Sequence, residues 1–529
     1  GRLVPSRIEL IEPRLFLSYA PGTGLSLSFS AATEAGSKPP TPDAAVAESS
    51  PLKRLEAAVF LQRLTGGQRD ATATSYLREL GLRDATVVVD HDGAKSLWQV
   101  PEVAIDLEQR DSRTVISGSA RVASAGGTWT AAFHTEDDDG GVKLHASIRD
   151  LVPSAFGASG GPLPFLSRLD LPVGADLMLT VTPQGEIAGG DIALELGKGR
   201  VVLSGPEHVR APLDFEAGLL KLAYDATAGS LTLSPSTLRW GPSSATLVGR
   251  ATYVANDGEE GWRFDVKSVE GVFAAPEFNV PAVPITSLET SGAWSKKRDL
   301  LRIDRLAVRA GGSDFRLSGD ISVRAARPGV DLEAALTETP VRTLKAIWPP
   351  FLAPRTREWI GGRVESGTMK SLAWRLQSGM FMTGDGGQSP GGGEQSSLTV
   401  ETGPGVFRAD KRLPPFSTPR ALVNVVNDAL ELTLPEAQTT LPSGRTITFK
   451  SVRMTSPDVV REPADAELSF RAQSDVAPVL ELLLMQPIAV IDAVDPARLK
   501  LQGKIDAQLS MSFPLVADLQ KSQIRFNGK

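Results

Sequence analysis

Leu231-Thr232-Leu233-Ser234-Pro235-Ser236-Thr237-Leu238-Arg239-Trp240-Gly241 returns 70 residues later as Leu301-Arg302-Ile303-Asp304-Arg305-Leu306-Ala307-Val308-Arg309-Ala310-Gly311. The match extends outward without a gap. Leu247 falls on Leu317, Gly249 on Gly319 and Tyr224 on Trp294, while Trp262 and Val266 fall on Leu332 and Leu336. Each copy reads as short strands with apolar residues at every second position, broken by Gly and Asn/Asp turns, so one face of a sheet is greasy and the other wet. A tandem unit of this length implies a repeat array rather than a closed domain. The expected fold is mainly β: an elongated, twisted, antiparallel repeat sheet curled into a groove, with a few short helices as caps and connectors.

The same alternation extends to both sides. Leu15, Leu17 and Tyr19, then Leu25, Leu27 and Phe29, flank Pro21-Gly22 and Gly24 as a hairpin. Residues 31–50 are Ala/Ser/Pro/Thr-rich and read as a loop. Leu55, Val59 and Leu61 suit one face of a helix over 52–64, and a helical turn is expected over 75–80. Strands are expected at 86–90, 98–107, 114–122, 128–134 and 142–148, and a short helix at 164–169. Alternation is then nearly continuous from Leu177 to Leu336. Helical punctuation follows at 341–360, a glycine-rich loop at 380–397, strands over 398–454, a helix at 476–485 and a last strand block from Leu499. Four regions result: 1–156, an amino-terminal β-region with short helices at about 52–80; 157–340, the repeat groove; 341–397, a helical Trp-Pro connector with the glycine-rich loop; and 398–529, a continuation of the groove with a helix at about 476–486.

Composition narrows the function. The 529 residues carry a net charge of −6 with acidic and basic residues interspersed, which argues against a nucleic-acid partner. With no cysteine, disulfides, thiolate metal sites and Cys nucleophiles are excluded. The greasiest run, Val479 to Ile491, is too short for a membrane span and is interrupted by Glu481, Gln486 and Pro487. Neither end resembles a natural terminus, and the chain reads as a piece of a larger protein.

Catalytic and metal motifs do not emerge. His91, His134, His145 and His208 lack ligand spacing; His134 and His145 could meet across a hairpin, but the pair lacks a third ligand, so no metal is expected. The acidic run Glu136 to Gly141 resembles part of a calcium loop without its distal Glu, and a β-turn accounts for it better. Nucleotide-binding fingerprints and the G-x-S-x-G elbow are absent, and Gly157-Ala158-Ser159-Gly160-Gly161 is a glycine break. Carboxylate pairs for glycoside hydrolysis have no sequence signature here. No catalytic residue and no cofactor are expected.

What remains is the apolar face. Its candidate lining residues are Leu179, Leu194, Leu222, Leu231, Leu233, Leu247, Leu301, Ile303, Val308, Phe315 and Leu317. An ordinary sandwich core would alternate in the same way. The residues by themselves admit both a lipid groove and a packed core.

One segment is more distinctive. Trp348-Pro349-Pro350-Phe351-Leu352-Ala353-Pro354-Arg355-Thr356-Arg357-Glu358-Trp359-Ile360, then Gly362-Arg363-Val364, resembles the Trp-Pro…Ala-Pro…Arg-Glu-Trp motif of AsmA-like envelope proteins, particularly their YhdP-type branch. Leu413-Pro414-Pro415-Phe416, Pro442-Ser443-Gly444-Arg445, Val476 to Leu483, Leu501-Gln502-Gly503 and Pro514-Leu515 follow that branch in the same order. The resemblance implies a non-enzymatic, bridge-like protein in the periplasm, held to the inner membrane by an amino-terminal helix outside this sequence. Its β-groove would shield phospholipid acyl chains between the inner and outer membranes, with envelope proteins as candidate partners. The rivals are an envelope scaffold with an ordinary core and a polysaccharide-acting β-solenoid enzyme; the latter should show much shorter coils.

Overall fold

The computed structural model describes residues 6–20, 24–28, 78–91, 94–110, 113–124, 127–138, 141–157, 168–182, 186–202, 212–255, 260–295, 297–322, 329–350, 354–378, 380–382, 388–390, 395–459, 461, 463–488, 503–516 and 519–528. The chain is mainly β, with long, mostly antiparallel ladders and few helices. It folds as two compact units, residues 1–203 with 212–269 and residues 204–211 with 270–529.

In the first unit the strands are β1 (Arg7–Ile11), β2 (Arg14–Ala20), β3 (Gly24–Ser28), β4 (Glu79–His91), β5 (Ala94–Arg110), β6 (Arg113–Ser124), β7 (Gly127–Asp138), β8 (Gly141–Leu151), β9 (Leu169–Asp170), β10 (Val173–Val181), β11 (Ile187–Leu196), β12 (Gly199–Val202), β13 (Pro212–Asp225), β14 (Ser230–Trp240), β15 (Ser243–Val254) and β16 (Gly261–Phe273), the last running past Val269. Consecutive strands pair antiparallel from β4 through β8, β10 sits on β8, and β11, β13, β14 and β15 follow in turn. Two pairings are parallel, making the sheet mixed: β1 and β2 lie end to end along one edge of β4. Glu12, at φ 53°, turns the chain between them, and its N–H donates to the Arg83 carbonyl at 2.8 Å. The expected hairpin is present as β2–β3, with Leu17 opposite Leu27. Of the helical turn expected over 75–80, residues 75–77 lie outside the described residues and the rest is not helical: Glu79 and Leu80 open β4, where Leu80 faces Ile105. The helix over 52–64 and the loop over 31–50 lie outside the described residues, as do residues 164–167 of the helix expected at 164–169; Leu169 belongs to β9.

The second unit adds β17 (Val283–Ser295), β18 (Leu300–Ala310), β19 (Ser313–Ser322), β20 (Val330–Pro340), β21 (Val364–Ser378), β22 (Met380–Met382), β23 (Gln388–Pro390), β24 (Gln395–Phe407), β25 (Phe416–Thr418), β26 (Ala421–Val426), β27 (Ala429–Thr440), β28 (Thr446–Ser456), β29 (Ala464–Asp475), β30 (Lys504–Leu515) and β31 (Arg525–Gly528). The glycine-rich stretch expected as a loop carries a small hairpin, β22 on β23. The helices are α1 (Ser154–Gly157) in the first unit and α2 (Val341–Ile347), α3 (Pro354–Arg363) and α4 (Val476–Leu484) in the second. Strands β20 and β29 run in the same direction, with six antiparallel steps between them, so α2 and α4 leave the sheet at the same end. Among the described residues no helix is long and apolar enough to cross a membrane.

The repeat survives into three dimensions, including its irregularities. Strands β14 and β18 occupy positions 70 residues apart, as do the turns at Gly241 (φ 48°) and Gly311 (φ 55°). A β-bulge interrupts β14–β15 between Leu233 and Ser236, and its counterpart interrupts β18–β19 between Ile303 and Leu306. Bulges at Phe215/Ala217 and Ile285/Ser287 correspond in the same way. A bulge opposes two residues to one and so reverses the in/out parity of everything beyond it. Leu233 and Leu238, an odd step apart, are thereby brought to one face. Pro235 is tolerated inside β14 because it falls in the bulge, where the buried Ser236 hydroxyl accepts from the Lys221 N–H (2.9 Å) and donates to the Ser234 carbonyl (2.7 Å).

The fourth strand departs from the sequence match. Gly249 abuts Asp265 and Val266, whereas Gly319 abuts Asp331 and Leu332, an offset of 66 instead of 70. Val266 therefore corresponds to Leu332, not to Leu336. A slip of four residues is even, so every side chain keeps its face, and alternation in the sequence does not register it.

Candidate functional site

Cross-strand partners project to the same side of a sheet, so the register converts strand patterns into rows running across the strands. One row in the first unit reads Ile8, Leu80, Ile105, Gly118, Phe133, Ala146, Leu177, Ile192, Leu222, Leu233 and Gly249, one residue from each of eleven strands. A neighbouring row on that face runs Leu10, Leu82, Val103, Ala120, Ala131, Ile148, Ala175, Leu194 and Leu220. Both are free of charged and polar side chains. At about 4.8 Å between strands, eleven of them carry the first row through ~50 Å of sheet.

The second unit has its own row: Leu288, Val308, Phe315, Leu336, Leu372, Val400, Val423, Leu432, Met454, Leu468, Met511 and Phe526. Here helices cover part of the face. Leu344 of α2, with Ile347 and Trp348, packs on Leu336, Met369, Phe315, Leu372 and Val400. Val479 and Leu482 of α4 join a cluster with Leu434, Ile447, Phe449 and Leu432.

All eleven candidate residues fall on these apolar faces. Leu179, Leu194, Leu222, Leu231, Leu233 and Leu247 share the face of the first unit, and Leu301, Ile303, Val308, Phe315 and Leu317 that of the second. Leu179 is buried and the other ten are half-buried. A second packed layer would bury such leucines almost completely. In the first unit the only helix among the described residues is the single turn α1.

The opposite face is polar and bound by cross-strand ion pairs. Arg302 lies opposite Asp320 at 3.0 Å, Arg149 reaches Asp176 at 2.6 Å, and Arg453 reaches Glu431 at 2.7 Å. Asp314 accepts from Arg316 and Arg309, and the hydrogen bond from Arg316, chiefly, holds its carboxyl below the usual range. These exposed pairs keep that face wet and add little stability. Asp304, Arg305, Arg309 and Asp320 lie on this face as well; Asp304 and Arg305 form the bulge itself.

A cavity of about 620 Å³ in the first unit is lined by residues of β7, β8, β10, β11, β13 and β14. Its lining takes in two adjacent rows of the polar face, Ala132, Ser147, Asp176, Ala193, Lys221 and Ser234 beside His134, His145, Met178, Asp191 and Ala223, together with Phe133, Ala146, Leu177, Ile192 and Leu222 of the first apolar row. Of the eleven candidate residues Leu222 lines this trough; the others on it were not found from the sequence, because they are spread over six strands and share no motif. At its edge His134 and His145 are direct cross-strand partners, their rings stacked 4.5 Å apart at 4°. The sequence allowed that meeting; the missing third group is Glu136, two residues from His134 on the same face of β7. The β7–β8 hairpin keeps register to Asp138 opposite Gly141, and residues 139–140 lie outside the described residues.

In the Trp-Pro segment Arg357 ties α3 to its surroundings. Arg357 donates through Nε to the Trp348 carbonyl at 2.9 Å, pairs with Glu277, and stacks 4.6 Å over the Phe278 ring. A Cβ on Gly361 would meet that ring at 2.0 Å, so only glycine admits Phe278 there. Burial pushes the Lys345 ammonium of α2 below its ordinary value.

No protein-family model, curated protein or solved structure matches this chain. The fold itself defines a mainly-β repeat sheet with one apolar and one polar face.

Proposed function

We propose that this chain is a non-enzymatic carrier that holds phospholipid acyl chains along the apolar face of its sheet. The observation that carries the reading is the uncharged row from Ile8 to Gly249, whose leucines stay half-buried in the first unit. An acyl chain fills half of a hydrocarbon core about 30 Å thick and would lie across roughly three strands. Each CH₂ removed from water is worth about 0.8 kcal/mol, so such a face competes with a bilayer for the chain. Because the row is uniform, it offers no deep well to stop lipid moving along it. The Trp-Pro…Arg-Glu-Trp resemblance to AsmA-like proteins supports the same reading. By that resemblance the protein would work in the periplasm, anchored to the inner membrane, in traffic to the outer membrane.

Native mass spectrometry with lipid extraction on the purified chain tests this. Co-purifying phospholipid supports the carrier. A lipid-free protein that also fails to take up fluorescent phospholipid refutes it. The second reading, an envelope scaffold with a packed core, has its support in the second unit, where α2 and α4 lie on the apolar face and nine buried residues form one cluster. On that reading, function would rest on partner proteins.

A further inference from the structure

We propose that His134, Glu136 and His145 form a binding site for a borderline divalent metal ion of the Zn²⁺ type, on the polar face of the first unit. The ligand atoms of the three side chains lie within 4.8 Å of one another. Glu136 Oε1 is 3.6 Å from His134 Nε2, and Oε2 is 3.9 Å from His145 Nε2. Zinc held by imidazole nitrogen and carboxylate oxygen at about 2.0–2.1 Å puts tetrahedral ligand atoms ~3.3 Å apart. Each imidazole is therefore within a few tenths of an ångström of the required distance from its own Glu136 oxygen, and a separation at the 4.8 Å limit closes by ~1.5 Å through side-chain rotation and a tilt of the two parallel rings, so that all three meet one ion.

Three features make this more than proximity. The antiparallel register fixes His134 directly opposite His145, and the two-residue period of β7 puts Glu136 on the same face. The hairpin thus holds the donors ready before any ion arrives. The Nε2 of His145 is shut off from solvent and has no hydrogen-bond partner among the described residues, a buried polar atom for which a metal would supply the missing partner. Two imidazoles and one carboxylate also leave a fourth position open, as in zinc sites that retain a water. Both histidines border the trough of about 620 Å³, so that position is reachable by a small oxygen or nitrogen ligand. Lys143 lies opposite Glu136 in register. The donor set favours Zn²⁺ over Mg²⁺ or Ca²⁺, which prefer all-oxygen shells.

The test is isothermal titration of the metal-free chain with ZnCl₂, and with MgCl₂ for comparison. Absorption spectroscopy with CoCl₂ then reads the geometry. One Zn²⁺ per chain is expected, with affinity falling at least tenfold in His145→Ala and in Glu136→Gln, and tetrahedral Co²⁺ bands lost in both. The two substitutions lie at a hairpin surface, and circular dichroism identifies any variant that fails to fold; Glu136→Gln retains the shape of the site if His145→Ala does not fold. Zinc binding that is undiminished in folded Glu136→Gln would overturn the proposal, as would an unaltered chain that binds Zn²⁺ no better than Mg²⁺. Because the readout is metal affinity, failure here is distinct from failure of the lipid reading.

Discussion

Leu233→Asp separates a lipid-holding face from a packed core. Leu233 sits between Leu222 and Gly249 in the row and is half-buried. Complete burial of a leucine is worth about 1.5–3 kcal/mol, so losing a half-buried one costs roughly 1–1.5 kcal/mol. Solvent can still reach the new carboxylate, and folded domains carry about 5–15 kcal/mol in reserve. The variant should therefore fold, with a melting temperature lowered by a few degrees. An acyl chain crossing this position would lose contact for three or four CH₂ groups, about 2.5–3 kcal/mol, which is a loss in occupancy of around a hundredfold. Co-purified phospholipid per chain, measured by extraction and mass spectrometry, should drop accordingly. The control lies one residue along: Ser234→Asp projects to the other face, opposite Lys221, and should leave lipid content unchanged. Equal lipid in both variants, or equal loss in both, would refute the face-specific reading. A Leu233→Asp chain that does not fold would show that the row is packed core.

Three further outcomes follow from particular contacts. Gly319→Ala should destabilise the fold by about 2–4 kcal/mol, because its Cβ would meet the Asp331 carbonyl at 2.0 Å and its φ is 138°. Gly249→Ala should cost less, since there the contact is 2.6 Å without a positive φ; denaturant midpoints for the two would show the order. Leu344→Ala, at a site 7% exposed, should cost about 2–5 kcal/mol by opening a cavity between α2 and the sheet, read in the same assay. Asp410, held below the usual carboxylate range mainly by its hydrogen bonds from the Arg412 side chain at 2.8 and 2.9 Å, contributes stability above the ordinary carboxylate pKa that is lost as the pH falls through its lowered value. Asp410→Asn should thus melt earlier at pH 7 by about 1–2 kcal/mol, with the gap to the unaltered chain closing below pH ~4; a gap that persists in acid would contradict the ion-pair origin.

Much of the fold was legible in the sequence because period-two alternation is a local property. The strands from β5 to β8, the hairpin of β2 and β3, and the helices α2, α3 and α4 stand where spacing put them. The misreadings have local causes too. Leu80 belongs to a strand because Ile105 and Ile8 flank it, and no residue near it in the chain reveals those partners. The glycine-rich stretch hides a hairpin because strand pairing, not side-chain character, orders it.

The sequence by itself determined that this chain is β, that it repeats, that one side of each strand is apolar, and which eleven residues fall on that side. Tertiary structure decided how those strands align. Bulges at Leu233/Ser236 and Ile303/Leu306 reverse parity, so strict alternation would have sent Leu238 and Val308 to the wrong face. The four-residue slip of the fourth strand is invisible to any pattern of period two. The same register that joins leucines into rows on one face places His134, His145 and Glu136 together on the other. Alternation follows from the geometry of a single strand, whereas register depends on which distant strand pairs with it, and only the folded chain contains that information.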